Sequence, residues 1–528
     1  SVEVTGKRRL LAACSTECWE GMDVHTDTQI VRDTQVSILQ LMLANHNKDC
    51  LSCPRNQNCD LQRLCSRFNI LQSPLPSVVK KTKRIQTNPS IVRDPSKCIR
   101  CGRCIRACKD VQGIAALTYA HRSSDIVVTT AYNKPMEDTD CVLCGQCSLV
   151  CPTGAIVEKD DTQRVLDVLQ DPSKHVVVQV APAVRVALGD AFGMEPGTIA
   201  TGQMVTALKL LGFDKVFDTN FGADLTIMEE SAEFVERLTK GGVLPMMTSC
   251  SPGWVNYMEK HYGDYRQHLS SAKSPMQMFG AIAKTYYPEQ AGIDVHNIVT
   301  VSIMPCTAKK YECTRPEMGR DGMQDVDIVL TTRELIKLIK YVGLEFGNLP
   351  ESDFDSPLGE STGAGAIFGT TGGVMEAALR TAYEKVTGKT LQKLDFDDVR
   401  GFKGIKETTV NLNGRDVHIA VAHTLKNARI IMEQIKKGTC KYDFIEIMAC
   451  PGGCIGGGGQ PIGTTNAIKQ KRMEAIYQID RDKPIRKSHE NPEILKLYKD
   501  FLGEPLSEKA HELLHTDYHK VPKEYVFD

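Results

Sequence analysis

The C-terminal two-thirds of the chain alternates between short runs of β-branched residues and longer stretches in which apolar positions recur at helical spacing. The short runs predict buried strands, and the longer stretches predict helices that connect parallel neighbours. Seven runs are candidate strands: VVVQVAP, KVFDTN, VLPMMTSC, IVTVSIMPC, VDIVLTT, VHIAVAH and FIEIMAC. The pattern therefore predicts an α/β domain with largely parallel sheets.

The N-terminal third has a different pattern and contains fourteen of the twenty cysteines. Residues 26–45 have apolar spacing compatible with a helix, and SVEVTGKRRLLAAC is typical of the end of a strand pair. We expect small α+β domains here. The Pro- and Lys-rich stretch SPLPSVVKKTKRIQTNPS is interpreted as a connector whose basic residues are solvated.

Three of the predicted strands end in cysteines on turns. Cys250 lies in TSCSPGW, Cys306 in MPCTAKKYE, and Cys450 and Cys454 in MACPGGCIGGGGQP. Because ligands collect beyond the carboxyl ends of strands in open α/β sheets, we expect these turns to meet at one buried metal site. The glycine-rich turn favours this interpretation, since glycine lets backbone N–H groups approach an inorganic group closely.

Length and charge narrow the function classes. The chain has 528 residues, enough for three or four domains, and its 64 basic and 65 acidic side chains leave a formal net charge of −1. This balance gives no sign of nucleic-acid binding. The sequence contains neither an apolar stretch long enough to span a membrane nor a recognisable signal peptide, so we expect a cytoplasmic protein.

Eight N-terminal cysteines form two C-x-x-C-x-x-C-x-x-x-C runs, the second followed by proline. This spacing is typical of bacterial ferredoxins with two [4Fe–4S] clusters, in which the fourth cysteine of each run binds the other cluster. It predicts one cluster on Cys98, Cys101, Cys104 and Cys151, and a second on Cys141, Cys144, Cys147 and Cys108. Paired zinc sites are the alternative, but zinc does not require this spacing.

A third cluster is predicted by the pattern H-x-x-x-C-x-x-C-x(5)-C, which contains His46, Cys50, Cys53 and Cys59. An isolated histidine is more often a surface or hydrogen-bonded residue, but here it comes one helical turn before a C-x-x-C pair. We interpret the four residues as ligands of another [4Fe–4S] cluster, and Cys65 as an ordinary buried cysteine.

The cysteine turns of the C-terminal part resemble the three signature segments of the iron-only ([FeFe]) hydrogenases. Further matching segments are DTNFGADLTIMEE, LSSAKSPMQMFGAIAKTYYP, DVDIVLTTREL, GAIFGTTGGVMEAALR and KSHENPEILKLYKDFLGEPLSEKAHELLH. The resemblance covers essentially the whole chain, which looks most like the catalytic subunits of multisubunit, NAD(P)-linked and often electron-bifurcating hydrogenases. In those subunits a plant-type [2Fe–2S] domain precedes this sequence. Cys14 matches its last ligand, and the other three are absent here.

The resemblance implies an H-cluster, a [4Fe–4S] cubane joined through a cysteine to a two-iron unit with CO, cyanide and azadithiolate ligands. By residue match, Cys306, Cys450 and Cys454 are cluster ligands, with Cys454 as the bridge. Lys309 matches a residue that hydrogen-bonds a cyanide. The residues matched to the surroundings of the two-iron unit are Pro182, Ser274, Met304 and Met448. From the residues alone, a surface lysine and core methionines are the alternatives.

A set of charged residues in LTIMEESAEFVERL shares one helix face. Glu230 and Glu233 lie three residues apart, and Arg237 follows four residues later. A solvated charged face is the ordinary explanation of such a pattern. The resemblance instead implies a proton relay, which a cluster sealed from water requires. Its members are Cys250, Glu230, Ser270, Glu233 and Arg237.

One position departs from the family pattern. Where the family has two adjacent cysteines, the first a proton carrier and the second a cubane ligand, this chain has Cys250 and Ser251. A serine oxygen is a hard and poor replacement for a thiolate on iron. Three interpretations stay open: Cys250 shifts to become the ligand, Ser251 fills the fourth position weakly, or activity is impaired. We expect Ser251 at the ligand position.

Together these patterns predict a hydrogenase that oxidises H2 and reduces protons. Electrons would pass through three accessory [4Fe–4S] clusters to ferredoxin, or to flavin- and NAD(P)-binding and iron–sulfur partner subunits. The alternative is a redox-sensing or electron-relay relative without a functional two-iron unit. The expected domains are a [2Fe–2S] remnant over 1–35, the His/Cys cluster domain and linker over 36–86, a two-cluster ferredoxin-like domain over 87–168 and the catalytic domain over 169–528.

Overall fold

The structure, a computed structural model, describes residues 1–79, 82–248 and 250–521. The basic connector predicted to be solvated includes Lys80 and Lys81, which lie outside the described residues, as does the end of the predicted catalytic domain after residue 521. Among the described residues, no helix has the length and apolar character needed to cross a membrane.

The N-terminal residues form a short strand pair and two helices. β1 (Glu3–Val4) pairs antiparallel with β2 (Val24–His25), and the helix predicted over 26–45 is α1 (Gln29–Ala44). A loop with three cysteines leads from α1 to α2 (Asp60–Arg67). His46 follows the C-cap residue of α1, so the end of the helix fixes the backbone position of His46.

A ferredoxin-like domain follows. Its strands are β3 (Ile91–Arg93), β4 (Thr118–Ala120), β5 (Val127–Thr129) and β6 (Ile156–Glu158), and its helices are α3 (Arg103–Arg106) and α4 (Gln146–Leu149). β3 pairs with β6 and β4 with β5, both antiparallel. Gly102 and Gly145 precede the two helices, each with φ at 71°, a conformation that L side chains rarely adopt. The two cysteine runs therefore share one backbone shape.

The catalytic domain contains two four-stranded sheets. The first is built from β7 (His175–Val180), β8 (Lys215–Asp218), β10 (Ile298–Met304) and β13 (Ile328–Thr331), and the second from β9 (Met246–Thr248), β14 (Ile405–Leu412), β15 (Arg415–His423) and β16 (Phe444–Met448). The first sheet, in the order β13–β10–β7–β8, is parallel throughout. The second, in the order β14–β15–β16–β9, is antiparallel only between β14 and β15. A short hairpin joins β11 (Gly319–Arg320) to β12 (Met323–Gln324).

All seven predicted strands are present, and the expectation of an α/β domain with largely parallel sheets is confirmed. The sequence pattern missed β14, whose residues alternate between buried and exposed positions. Such alternation is typical of an antiparallel strand with one face in water, and it lacks the continuous apolar run on which the other strands were recognised.

Helices connect and cover the two sheets. They are α5 (Thr162–Leu169), α6 (Thr201–Leu210), α7 (Thr219–Lys240), α8 (Pro252–His261), α9 (Pro275–Lys284), α10 (Tyr286–Ala291), α11 (Lys309–Glu312), α12 (Thr332–Tyr341), α13 (Gly363–Ile367), α14 (Gly373–Thr387), α15 (Leu425–Lys436), α16 (Asn466–Asp482), α17 (Pro492–Leu497) and α18 (Glu508–Leu514). The long helix α7 packs against α9, α13 and α14 and is buried over most of its length. Asp218 fixes its start by accepting the Asn220 N–H and pairing with buried Arg185 at 2.6 Å.

The C-terminal segment, residues 466–521, binds the core through buried polar contacts. Asp224 of α7 accepts hydrogen bonds from Ser488 (2.7 Å) and Asn491 (3.0 Å). In the same region Arg380 of α14 pairs with Asp480 at 2.8 Å. Breaking one partner of a buried ion pair costs about 3–5 kcal/mol, so these contacts hold the C-terminal segment firmly against α7 and α14.

Candidate active site

A buried cavity lies where strands of both sheets end. β9 leads to Cys250 and Ser251, β10 leads to Cys306, and β16 leads to Cys450 and Cys454. The predicted site residues that line this cavity are Pro182, Cys250, Ser251, Met304, Cys306, Lys309, Met448, Cys450 and Cys454. The parallel sheets thus bring together turns that lie far apart in the sequence.

The surroundings of these cysteines disfavour bare thiolates. Burial raises the pKa of Cys450 to about 12 and also raises that of Cys306. The pKa of Cys454 is raised by a hydrogen bond with Cys250 and by burial. Thiolates form in such a place when a metal cation replaces their protons. The donor set therefore fits a thiolate-bound metal group.

The Cys250 thiol lies beside two residues that the family resemblance assigns to the two-iron unit. Its Sγ is 3.8 Å from Met448 Sδ, and Cys250 is the largest cause of the raised pKa of Cys454. Ser251 occupies the N-cap position of α8 and lines the same cavity. The structure therefore places Cys250 on the side of the cavity that contains Met448.

The spacing of the sulfur atoms distinguishes a cluster from a single metal ion. Four thiolates around one Zn²⁺ at about 2.3 Å would lie about 3.8 Å from one another. In the described part of the chain, which includes all twenty cysteines, no three sulfur atoms lie within 4.8 Å of each other. These cysteines are also free of disulfides. The sulfur atoms are therefore spaced more widely than the ligands of one zinc ion.

Lys309 contributes a positive charge to the cavity wall. Its ammonium donates to Ser274 Oγ at 2.6 Å and to Glu312 Oε2 at 2.7 Å. Ser274 also donates to Glu312 at 3.0 Å, and all three side chains are buried. Ser274 thus acts on the cavity through Lys309. Glu312, which the sequence reasoning missed, supplies the counter-charge that a buried ammonium requires.

Four of the predicted relay residues form a path from the interior toward the surface. Glu230 is only 2% exposed, and Ser270 offsets part of the rise that burial causes in its pKa. Ser270 Oγ donates to Glu233 at 2.8 Å, and Glu233 pairs with Arg237 at 2.5 Å. The side chain of Arg237 is 16% exposed and reaches solvent. The two carboxyl groups and the serine hydroxyl can exchange protons, and Arg237 fixes the Glu233 carboxylate at the surface end of the path.

Thr248 adds a contact that the sequence did not predict. Its hydroxyl donates to Glu230 Oε2 at 2.5 Å, and it lies two residues before Cys250 on the strand that leads to the cavity. Burial raises the pKa of Glu230 to about 8. Glu230 therefore holds a proton near neutral pH and lies beside β9, the strand that leads to the cavity.

Each cysteine set predicted for the ferredoxin-like domain lines one cavity of that domain. Cys98, Cys101, Cys104 and Cys151 line the first cavity, and Cys108, Cys141, Cys144 and Cys147 line the second. In both runs a backbone N–H donates to the first sulfur at 3.4 Å, from Arg100 to Cys98 and from Leu143 to Cys141. Such bonds favour the thiolate, which is the form that binds iron.

The predicted His/Cys site is a third cavity, lined by His46, Cys50, Cys53 and Cys59. His46 is buried, and its Nδ1 has no hydrogen-bond partner, which is costly unless a metal takes that place. Burial lowers the pKa of His46 and keeps its ring neutral, as a metal ligand must be. Cys65 is half-buried rather than buried and also lines this cavity.

The second ferredoxin-type site touches the active site directly. Thr307, next to Cys306, donates to Leu143 O at 2.8 Å. Gly458 packs against Cys144, so closely that a Cβ would lie 2.2 Å from the Cys144 carbonyl oxygen. Two other glycines of this run, Gly453 and Gly457, line the active-site cavity, where the sequence interpretation placed the run. Gly458 makes a close contact between the backbones of two domains, which the sequence did not predict.

Cys14 stands apart from the other predicted ligands. Among the described residues it is exposed, and it lines none of the four cysteine cavities. Its role as a [2Fe–2S] ligand stays a prediction.

The fold and the four cysteine sites define a class of protein, an iron–sulfur oxidoreductase with a buried active-site cavity next to an electron-transfer domain. Family models match along the chain. They are described as the NADH-ubiquinone oxidoreductase-G iron–sulfur binding region (35–74), a 4Fe-4S dicluster domain (97–155), the iron only hydrogenase large subunit, C-terminal domain (174–458), and the iron hydrogenase small subunit (466–521).

Similar proteins specify the family. The NADP-reducing hydrogenase subunit HndD of Solidesulfovibrio fructosivorans is 51% identical over 98% of this chain and 90% of its own length. Iron hydrogenase 1 of Clostridium pasteurianum is 42% identical, with 98% and 92% covered. The structure of an apo variant of [FeFe]-hydrogenase HydA1 from Chlamydomonas reinhardtii matches with a TM-score of 0.62 and 45% identity, covering 69% of this chain and 99% of that one. The chain belongs to the iron-only hydrogenase family and is an [FeFe]-hydrogenase.

Proposed function

We propose that this chain oxidises H2 and reduces protons reversibly at an H-cluster, with electrons carried by three accessory [4Fe–4S] clusters. The observation that supports this best is the single buried cavity lined by Cys250, Cys306, Cys450 and Cys454. The Glu230 path begins beside the strand that leads to Cys250, and the cysteine site of Cys144 contacts the cavity turns on another side. Both products of H2 oxidation, protons and electrons, thus have a route out.

Each residue of the cavity has a proposed role. Cys306, Cys450 and Cys454 would hold the cubane, with Ser251 at its fourth position, and Cys454 would also hold the two-iron unit. When bound, that unit supplies the metal centre at which H2 is split or formed. Three apolar residues of the cavity would exclude water from the two-iron unit: Pro182, Met304 and Met448. Lys309, held in place by Ser274 and Glu312, would donate to its anionic ligands.

Proton transfer would begin at Cys250. Its position beside Met448 supports a proton-carrying role, because that side of the cavity is the one assigned to the two-iron unit. Glu230, which already holds a proton, would pass it through Ser270 to Glu233 and then take up the next proton from Cys250. Arg237 holds the Glu233 carboxylate at the exit, where the proton meets water.

The proposed partners are flavin- and NAD(P)-binding subunits, further iron–sulfur subunits and ferredoxin, in a cytoplasmic and electron-bifurcating assembly. The support is the 51% identity to a subunit of an NADP-reducing hydrogenase, together with three cysteine sites besides the active site. Native purification should therefore recover the chain with partner subunits. A monomer that turns over only with ferredoxin would contradict this.

One residue favours a second candidate, an electron-relay or redox-sensing protein without a two-iron unit. That residue is Ser251, since its oxygen binds iron more weakly than a thiolate. Infrared spectroscopy of the matured chain separates the two functions. We expect CO and cyanide bands together with H2 turnover. A matured chain that retains its cubane but has no such bands would establish the second function instead.

A further inference from the structure

Two buried glutamines lie where the ferredoxin-like domain contacts the active site. Gln112 is 1% exposed. Its Nε2 donates to the carbonyl of Ala449 at 2.9 Å and lies 3.8 Å from Cys144 Sγ. Its Oε1 accepts the Leu425 N–H at 3.2 Å. The side chain thus joins the second ferredoxin-type site to the residue just before Cys450.

Gln146 makes the matching connection from the other direction. It is 6% exposed, and its Nε2 donates to the carbonyl of Gly456 at 2.9 Å. Each glutamine therefore belongs to the ferredoxin-like domain and binds backbone of the catalytic domain. Gln112 also lies within hydrogen-bonding distance of a sulfur of the ferredoxin-type site.

The contact of Gln112 with sulfur indicates more than adhesion between domains. Adhesion needs only the bonds to backbone carbonyls, which both glutamines make, yet the Gln112 amide also lies at Cys144, a predicted cluster ligand. An N–H at a thiolate stabilises the reduced, more negative state of an iron–sulfur cluster and so raises its reduction potential. A glutamine does this without adding a charge to the buried junction.

We propose that Gln112 is a positioning residue that sets the reduction potential of the cluster held by Cys144, the partner of the active-site cubane in the last electron step. One electron leaves one of these two clusters as the other is reduced, so a change in this potential changes the driving force of that step. This inference rests on the proposed function, because it requires a cluster on each side.

The test is a redox titration of the full, matured chain followed by low-temperature electron paramagnetic resonance. Gln112→Leu removes the donor. At the midpoint of the unsubstituted chain, the reduced-to-oxidised ratio of the signal from the cluster held by Cys144 should fall by about three- to tenfold, the value of one hydrogen bond. Gln163→Leu, at an exposed position of α5 where the amide bonds Asp167, is the control and should shift no signal.

Iron content is measured on every variant, since a merely structural role would lower it and leave the potentials of the remaining clusters unchanged. If Gln112→Leu fails to fold, Gln112→Glu keeps the shape and removes the donor when ionised, with a shift expected in the same direction. Unchanged potentials in a Gln112→Leu protein with its full iron content would overturn the inference alone. Absence of the cluster signals from the unsubstituted chain would overturn the proposed function as well.

Discussion

The ferredoxin-like domain and the catalytic domain bring cysteines together in different ways. In the ferredoxin-like domain, three cysteines of each site come from one loop and the helix that follows it, and the loop is shaped by left-handed residues such as Arg100 (φ 58°) and Leu143 (φ 57°). In the catalytic domain, the cysteines follow β9, β10 and β16, which belong to two sheets. A local loop can be recognised from spacing alone, whereas the active site exists only when the whole α/β domain is folded.

The largest expected effect is the loss of the metal group from the catalytic domain while the ferredoxin-like domain keeps its clusters. Cys306→Ala removes a proposed ligand that comes from a strand end, so the H-cluster and all H2 turnover should be lost. The accessory clusters should stay, because their ligands lie in another domain. Infrared bands should disappear while about twelve irons per chain remain by chemical analysis. Cys101→Ala is the matched change in the ferredoxin-like domain and should keep the bands. Turnover by the Cys306→Ala protein would contradict the proposal.

The next effect is on the rate of proton transfer, which the proposal assigns to the catalytic domain alone. Glu230→Gln removes the buried carboxyl of the relay, and H2 evolution should fall by about 100-fold or more. Infrared bands and iron content should not change, because Glu230 holds no metal in the proposal. Glu236→Gln is the control on the same helix, since that side chain is exposed and pairs with Lys240 at 3.2 Å. Equal rates for the two variants would exclude the relay.

A smaller effect is expected where the active site departs from its family. If Ser251 fills the fourth ligand position, Ser251→Cys should strengthen cubane retention by severalfold against a chelator, because a thiolate binds iron better than a hydroxyl. Cys250→Ala should keep the cubane and lose proton transfer. Iron and sulfide analysis after chelator treatment measures both. Loss of the cubane from Cys250→Ala would show that Cys250 is the ligand.

The smallest effect is on stability, and it follows from the burial of Glu230. Its pKa is raised from 4.5 to about 8 in the folded protein. Between these values the folded state keeps a proton that the unfolded state has lost, so stability falls as pH rises, by up to about 1.4 kcal/mol per pH unit. Above about pH 8 the loss levels off. Glu230→Gln should lack this contribution, so the Tm difference between the two proteins should change between about pH 5 and 8. A constant difference would contradict the raised pKa.

The sequence predicts those parts of the molecule that depend on neighbours along the chain. The seven strands are continuous apolar runs, and the cysteine sets follow local spacing. Glu312 was missed although it lies three residues after Lys309, a spacing at which two helical side chains meet. Thr248 and Gln112 were missed because their partners lie far away in the sequence, and a single sequence contains no signal for such contacts.

The C-terminal segment has one further consequence. Residues 466–521 match a family described as a hydrogenase small subunit, yet here they continue the catalytic chain and bind its buried helix α7. A covalent tether keeps this segment at an effective concentration that dilution cannot lower. Dilution should therefore not separate the two parts, which are always present in equal amounts.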